Sequence, residues 1–124
     1  MVGDVRDKDR LNLAIRNVDI VFHTAAMKHI TICEDNPFDA VKTNVVGTSN
    51  ILEASIIEEV EKFVFISTDK ATNPTSTLGG SKLLAERLTL DAGTYTGKGK
   101  TKFAIVRFGN VLGSRGSVFQ IFKK

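Results

Sequence analysis

Three apolar runs, Val18 to Phe22, Phe63 to Ile66 and Phe103 to Val106, constrain the fold of this chain more than any other feature. They are short, rich in Val, Ile and Phe, and do not alternate with polar residues. Runs of that kind predict strands covered on both faces. Helical patterns separate them. Between Phe38 and Ile56, apolar or small residues recur at 38, 41, 45, 48, 52 and 56, one stripe down a helix of about five turns. Asp35 or Asn36 is placed to cap its start, with Pro37 at the first helical position. A second helix is expected from Gly80 or Ser81 to about Thr94, with Leu83, Leu84, Arg87 and Leu88 on its inward face. Shorter helices are expected from Lys8 to Ile15 and from near Ser117. Strand, helix, strand, helix, strand is the order that right-handed parallel crossovers produce, so the fold class is α/β with a doubly wound parallel sheet.

A chain of 124 residues has the length of one domain with one modest core. Its hydrophobic fraction of 42% and charged fraction of 25% are ordinary for a globular protein. No apolar run nears the ~20 residues of a membrane helix, and the N-terminus carries no signal-peptide pattern. Cys33 is the single cysteine, so no internal disulfide is possible; a reducing compartment, the cytoplasm, is expected. The net charge of +3 is small, and its lysines gather at 98, 100, 102, 123 and 124. They lack the interleaved aromatics or reading motif of a nucleic-acid surface, so no nucleic-acid partner is expected. Gly97-Lys98-Gly99-Lys100-Thr101 imitates a phosphate loop, but Thr94 stands where the motif needs glycine, and the segment leads from helix into strand. His23 and His29 have no third partner at metal-ligand spacing, so no metal is expected. Met1-Val2-Gly3-Asp4 reads as a strand end with its loop. The chain is therefore expected to begin inside a fold, as a fragment, or to have its open sheet edge covered by a partner.

In open parallel sheets, ligands bind outside the carboxyl ends of the strands. His23-Thr24-Ala25-Ala26-Met27-Lys28-His29 follows the first run, Ser67-Thr68-Asp69-Lys70 the second, and Arg107-Phe108-Gly109-Asn110 the third, with Gly113 to Ser117 just beyond. One rim is expected to gather them. Ala25 and Ala26 are small enough to let a cofactor lie flat against the strand end. Asp69 and Lys70 are neighbours on a loop, placed to act on adjacent carbons of one substrate. A free lysine titrates at about 10.4, so desolvation or a cationic neighbour must depress that value before Lys70 accepts a proton. Lys82, 12 residues on, could be that neighbour or could hold a ribose hydroxyl. The competing reading makes Asp69 a loop cap and both lysines surface charges.

Ser-Thr-Asp-Lys-Ala-x-Asn-Pro from Ser67, followed by Gly-x-Ser-Lys ending at Lys82, resembles the UDP-N-acetylglucosamine 4,6-dehydratases. These are extended short-chain dehydrogenase/reductases of the CapD polysaccharide biosynthesis type. The likeness continues through Gly3 to Asp7, His23 to His29, Lys42 to Thr48 and Arg107 to Ser117, essentially the whole chain in order. It implies a partial Rossmann-type sheet, residues 1–124 forming a single partial NAD(P)-binding domain that lacks the N-terminal strand-helix units. It also implies NAD or NADP as cofactor, a UDP-N-acetylhexosamine substrate, and homo-oligomers paired through the 38–56 and 80–94 helices. The implied reaction is oxidation at C4, loss of water across C5 and C6, and reduction at C6. On the matching positions Lys70 takes the C5 proton, Asp69 protonates the departing C6 hydroxyl, and Thr68 hydrogen-bonds the C4 oxygen. Lys82 matches the lysine that orients the nicotinamide ribose, Asp4 and Val5 match adenine contacts, and Ala25 and Ala26 line the cofactor. Lys28, His29, Asn110, Ser114 and Arg115 fall where such enzymes hold the substrate and its diphosphate.

The pattern is departed from in two places. The family's usual tyrosine, four residues before the lysine, is Leu78, which neither accepts a proton nor donates a hydrogen bond. The C4 proton acceptor must then be another group, Asp69 or a water held by Thr68. The glycine-rich dinucleotide fingerprint has no counterpart here either, so the isolated chain is expected to bind dinucleotide weakly and to be inactive. Two other readings stay open: a degenerate binding or assembly module, and a sugar-nucleotide epimerase. The Asp69-Lys70 pair and Leu78 count against the epimerase.

Overall fold

The structure, a computed structural model, describes residues 1–95 and 99–111. Ser114, Arg115 and the helix expected near Ser117 lie outside the described residues. The strands are β1 (Ile20–His23), β2 (Lys62–Thr68) and β3 (Lys102–Phe108), parallel and in the order β1-β2-β3. The register sets Phe22 beside Val64, and Ser67 beside Arg107. The helices are α1 (Lys8–Ala14), α2 (Ile30–Asp35), α3 (Pro37–Val41), α4 (Gly47–Ile57) and α5 (Thr77–Tyr95). A wide π turn, Lys42–Val46, joins α3 to α4. The α/β class read from the pattern is the class observed.

The core lies on one side of the sheet. Val21, Phe63 and Phe65 pack there against Leu11, Ile51, Leu52, Ala54, Ala85 and Ala92. Among the described residues nothing closes the opposite face: Ile20, Phe22, Val106 and Phe108 are exposed, Phe22 to 67%. Strands covered on both faces are therefore not what the described residues form. The reason is topological. Successive right-handed crossovers that advance in one direction lay their helices on one side.

The two long helices face only in part as expected: Thr48, Leu52, Ile56 and Leu88 turn inward, and other expected positions do not. Phe38 is 83% exposed and Val41 is exposed, while Ala40, Asn44, Thr48, Ile51 and Leu52 are buried. The π turn widens the helix locally, so a stripe counted at constant pitch slips off its face. Pro37 does open α3, but the Asn36 side chain donates to Ile32 O at 3.0 Å and caps nothing. Helix α5 begins at Thr77, three residues before the first expected start at Gly80, and it buries Leu78, Ser81, Lys82, Ala85, Glu86, Thr89 and Ala92. Leu84 and Arg87 face solvent. Ser76 caps α5 locally, its Oγ accepting from Gly79 N at 3.1 Å, and α2 adds a second contact: the Glu34 carboxylate accepts from Thr77 N at 2.6 Å and from Thr77 Oγ1 at 3.0 Å. Only the second contact lies beyond the reach of a local pattern.

His23 ends β1 in the core, its ring between those of Phe63 and Phe65 at 6.1 and 5.5 Å. Its Nε2 lies 2.8 Å from Thr48 Oγ1, whose proton goes to Asn44 O at 2.7 Å, so Nε2 is the donor and carries the ring proton. Burial, then the charge of Lys82, depresses His23 from its ordinary 6.5 to about 4. Between those values the unfolded chain binds a proton that the fold does not, so stability falls as pH drops through that window. That slope is worth about 3 kcal/mol in total. His23→Leu is expected to flatten it in urea titrations run at pH 4 to 6.5; parallel slopes in both proteins would refute the assignment.

Candidate functional site

A crevice of about 250 Å³ opens at the carboxyl ends of β1 and β2. Thr24, Ala26 and Lys28 line it from the loop after β1, and Ser67, Thr68 and Lys70 from the end of β2. Leu78 and Lys82 close it from α5. The loop after β3 arrives beside it, where a Cβ on Gly109 would lie 3.9 Å from Asp69 Oδ2. Lys70 also borders a second cavity of about 450 Å³, lined by Glu34, Asn73, Thr75 and Ser76 among others. Its ammonium is thus reachable from two sides.

Strand β2 runs straight into a single 3-10 turn, Asp69–Ala71, and this turn presents the acid and the lysine. Thr68 caps it, its Oγ1 accepting from Lys70 N at 3.3 Å while donating to Asp69 Oδ1 at 3.0 Å. Lys70 Nζ donates to the same Oδ1 at 3.3 Å. The Thr68 hydrogen bond and then Lys70 hold the Asp69 carboxyl below the usual carboxylate range. Asp69 is therefore an anion at neutral pH. Helix α5 approaches this turn closely: a Cβ on Gly79 would stand 2.5 Å from Lys70 O. Only glycine lets the two backbones meet there.

Lys82 is 7% exposed. Its Nζ donates to Ile66 O at 2.8 Å and sits 4.6 Å from the centre of the Phe65 ring. Burial depresses it from its ordinary 10.5 to about 8, against the pull of Glu86. A lysine so placed is no surface charge. Ile66 O takes one of its three N–H donors, and the others are available to hydroxyls in the crevice.

Asn44, quoted only within a motif, carries more of the site than its sequence context shows. Buried in the π turn, it accepts from Met27 N at 2.8 Å and donates to Met27 O at 3.1 Å and to Ser81 Oγ at 3.0 Å. It pins the loop after β1 to α5, and with it both walls of the crevice. A polar residue set between Ala40 and Thr48 on the inward face is the signal that could have found it. Leu78 sits in a small cluster with Cys33, Ala40 and Met27 and presents only carbon to the crevice.

Other candidate residues are not brought into the crevice. Asp4 is exposed and held by Arg6, with Arg6 Nη2 at 2.7 Å from its Oδ2. Asp4 and Val5 line a separate cavity of about 170 Å³ beside α1, where Val5 O accepts from Asn50 Nδ2 at 3.1 Å. Ala25, His29 and Asn110 are exposed and do not line the crevice, and Asp69 stands beside its lining residues Thr68 and Lys70 without being one of them. His29 precedes α2 without capping it through its side chain. In the basic turn before β3, Lys100 pairs with Glu59 at 2.8 Å. Among the described residues no helix is long and apolar enough to cross a membrane.

The chain resembles known proteins along its whole length. An uncharacterized membrane protein, MJ1061, of Methanocaldococcus jannaschii is 63% identical over 99% of this chain and 37% of its own length. A UDP-N-acetylglucosamine 4,6-dehydratase (inverting) of Campylobacter jejuni is 47% identical over the same shares. A UDP-glucose 4-epimerase of Rickettsia bellii is 42% identical over 98% of this chain and 36% of that protein. The X-ray structure of Pen from Bacillus thuringiensis superposes with a TM-score of 0.96 at 50% identity, covering 99% of this chain and 38% of Pen. MoeE5, solved in complex with UDP-glucose and NAD, gives 0.81 at 26% identity over 87% of this chain and 40% of its own. The chain thus spans little more than a third of the length of these curated relatives, between 36% and 37%. The profile of the family described as "Polysaccharide biosynthesis protein" matches residues 1–124. With an acid-lysine turn and a buried lysine at the ends of parallel strands, and with that match from first residue to last, this chain belongs to the polysaccharide biosynthesis protein family.

Proposed function

We propose that these residues form the central part of a nucleotide-sugar 4,6-dehydratase site acting on a UDP-N-acetylhexosamine. The observation that carries this reading is the Asp69–Lys70 couple, an acid and a lysine 3.3 Å apart on one turn beside the crevice. An epimerase needs no such couple, because it eliminates nothing. The crevice also fits the nicotinamide end of NAD(P): Ala26 offers a small wall, and Lys82 offers a buried ammonium with spare donors. The chemistry such a group supplies when bound is removal of hydride at C4 and its return at C6.

The chain's own residues account for the protons. Leu78 cannot take the C4 hydroxyl proton, whereas the Asp69 carboxylate can, because Thr68 and Lys70 keep it ionised. Oxidation at C4 thus leaves Asp69 protonated, and that proton goes to the departing C6 hydroxyl to make water. Once Asp69 is protonated it no longer holds the ammonium; Lys70 then gives up a proton to solvent, removes the C5 proton that the C4 ketone has acidified, and returns that proton to C5 when C6 is reduced. Every proton taken is given back, and the sugar loses one water. Thr68 steers Asp69 and stands beside the C4 oxygen, while Lys82 holds hydroxyls of the ribose. Lys28 also lines the crevice and offers a cation to the diphosphate.

The test incubates this chain, and a longer chain carrying these residues, with UDP-N-acetylglucosamine and NAD(P)⁺ and follows the sugar by NMR. A 4-keto-6-deoxy product that falls by about 10²–10⁴ on Lys70→Ala is expected. A C4 epimer in its place would establish the epimerase reading that the Rickettsia relative supports, and turnover unaffected by Lys70→Ala would refute the mechanism. Copies are expected to pair through α4 and α5, whose Ile57, Leu84 and Leu90 are exposed, and the light-scattering mass of the same sample reads this.

A further inference from the structure

Glu86 and Arg107 have no part in the chemistry above, yet they form the most enclosed ion pair of the described residues. Glu86 is 5% exposed and lies one turn beyond Lys82 on α5, so both side chains face the sheet. Arg107, near the end of β3, grips it with both prongs: Nε donates to Oε1 at 2.8 Å and Nη2 to Oε2 at 2.6 Å. Arg107 Nη1 donates in turn to Thr72 Oγ1 at 3.2 Å. Thr72 closes the catalytic turn, its N donating to Asp69 O at 3.0 Å. Contacts therefore run from α5 through β3 to the backbone that presents Asp69 and Lys70. Glu86 is enclosed while the Arg107 side chain is 42% exposed, and a pair whose cation keeps its water is a modest source of stability.

We propose that Glu86 is a positioning residue: one turn from Lys82 on the buried face of α5, it is the enclosed anion of the face from which the Lys82 ammonium reaches the Ile66 carbonyl, and Arg107 ties that anion to the Asp69–Lys70 turn. The proposal deepens the dehydratase reading, on which only the purpose of Lys82 depends. The surroundings of Lys82 leave Glu86 as its counterweight. From β1 comes His23, neutral at neutral pH because burial depresses it. Lys28 and Lys70, on the loops after β1 and β2, share the crevice and carry like charge. Asp69 is engaged by Thr68 and Lys70. Arg107 spends its charge on Glu86, which also feels Arg87 on the same helix.

The experiment uses this chain without any ligand. Competitive acylation by acetic anhydride, read by peptide mass spectrometry across pH, gives the titration midpoint of Lys82 and the relative reactivity of Lys70. Glu86→Gln is expected to lower the Lys82 midpoint by about one pH unit, because the anion one turn away on α5 is lost from beside an ammonium short of water. The double variant E86M/R107M removes both charges. It is expected to melt no lower than the parent, yet still to show a lowered Lys82 midpoint and a Lys70 at least about twofold more reactive once its turn is released. A folded double variant with unchanged Lys82 and Lys70 would overturn the proposal. Unfolding of both variants would overturn it too, since the pair would then be holding the fold itself. Absence of dehydratase turnover would leave the result standing, because no sugar nucleotide is present.

Discussion

Lys82→Met is expected to make this fold more stable at neutral pH, by about 1–3 kcal/mol, a direction that few core substitutions take. Lys82 is held at about 8, against an ordinary 10.5, chiefly because burial strips it of water. Below pH 8 the lysine is charged in both states, and the fold carries the full cost of enclosing that charge. From about pH 8 to 10.5 the folded protein releases the proton while the unfolded chain keeps it, so the unfolded state binds more protons and stability climbs with pH. The whole effect is worth about 3 kcal/mol, from which the lost bond to Ile66 O and the contact with Phe65 subtract. Methionine fills the same channel without the charge. The gain should therefore be largest below pH 8 and fade by about 10.5, read as melting temperature across pH. The Cys33 thiol, pushed up by burial from its ordinary 9.0, adds a slope of opposite sign to both proteins, so the difference between them isolates the lysine. A Lys82→Met protein less stable than its parent at pH 7 would mean that the ammonium holds the crevice together. A gain would mean that the chain carries this charge for what it binds.

The sequence told the order of elements well and their facing poorly, and the physical reasons differ from case to case. The runs at 20–23, 62–68 and 102–108 were legible because a parallel strand needs several consecutive apolar residues whatever covers it. Which face is covered depends on the direction the crossovers take, and no local run records that. Phe22 reads like Val21, yet the first is exposed and the second buried. The 38–56 stripe failed at the π turn, where an amide's bonding to Met27 and Ser81 mattered more than pitch. The start of α5 was marked locally by Ser76, whose Oγ accepts from Gly79 N; only the added contact from Glu34, 43 residues away from Thr77, was hidden. The acid-lysine turn was legible as a place, since Asp69 and Lys70 directly follow the second apolar run and the turn does close that strand. Lys82 was legible only as a motif position. Its burial, and the Glu86–Arg107 pair that accompanies it, required three elements to be brought together.

If Asp69 carries the C4 proton to the C6 hydroxyl, Asp69→Asn should stop the reaction before water is lost, and a hydroxyl supplied at Leu78 should restart only its first half. Asparagine cannot accept the proton, so no C4 ketone forms and C5 gains no deuterium from heavy water, a fall of about 10²–10⁴ from the parent rate. In the double variant D69N/L78Y, a tyrosine stands where Leu78 now lines the crevice, and it can take the C4 proton. C5 then exchanges, through Lys70, while the C6 hydroxyl stays in place for want of an acid. The sugar should return deuterated but not dehydrated. Leu78 is 4% exposed among Cys33, Ala40 and Met27, so the larger ring costs about 1–3 kcal/mol in packing, and a melting curve must confirm that the variant folds. Two outcomes would remove the assignment. Full C5 exchange in Asp69→Asn alone would place the acceptor elsewhere, on a water held by Thr68. Dehydrated product from D69N/L78Y would mean that the C6 hydroxyl draws its proton from Lys70 or from solvent. If neither is seen, the leucine has its reading: an aspartate kept ionised by its neighbours needs no second base at C4.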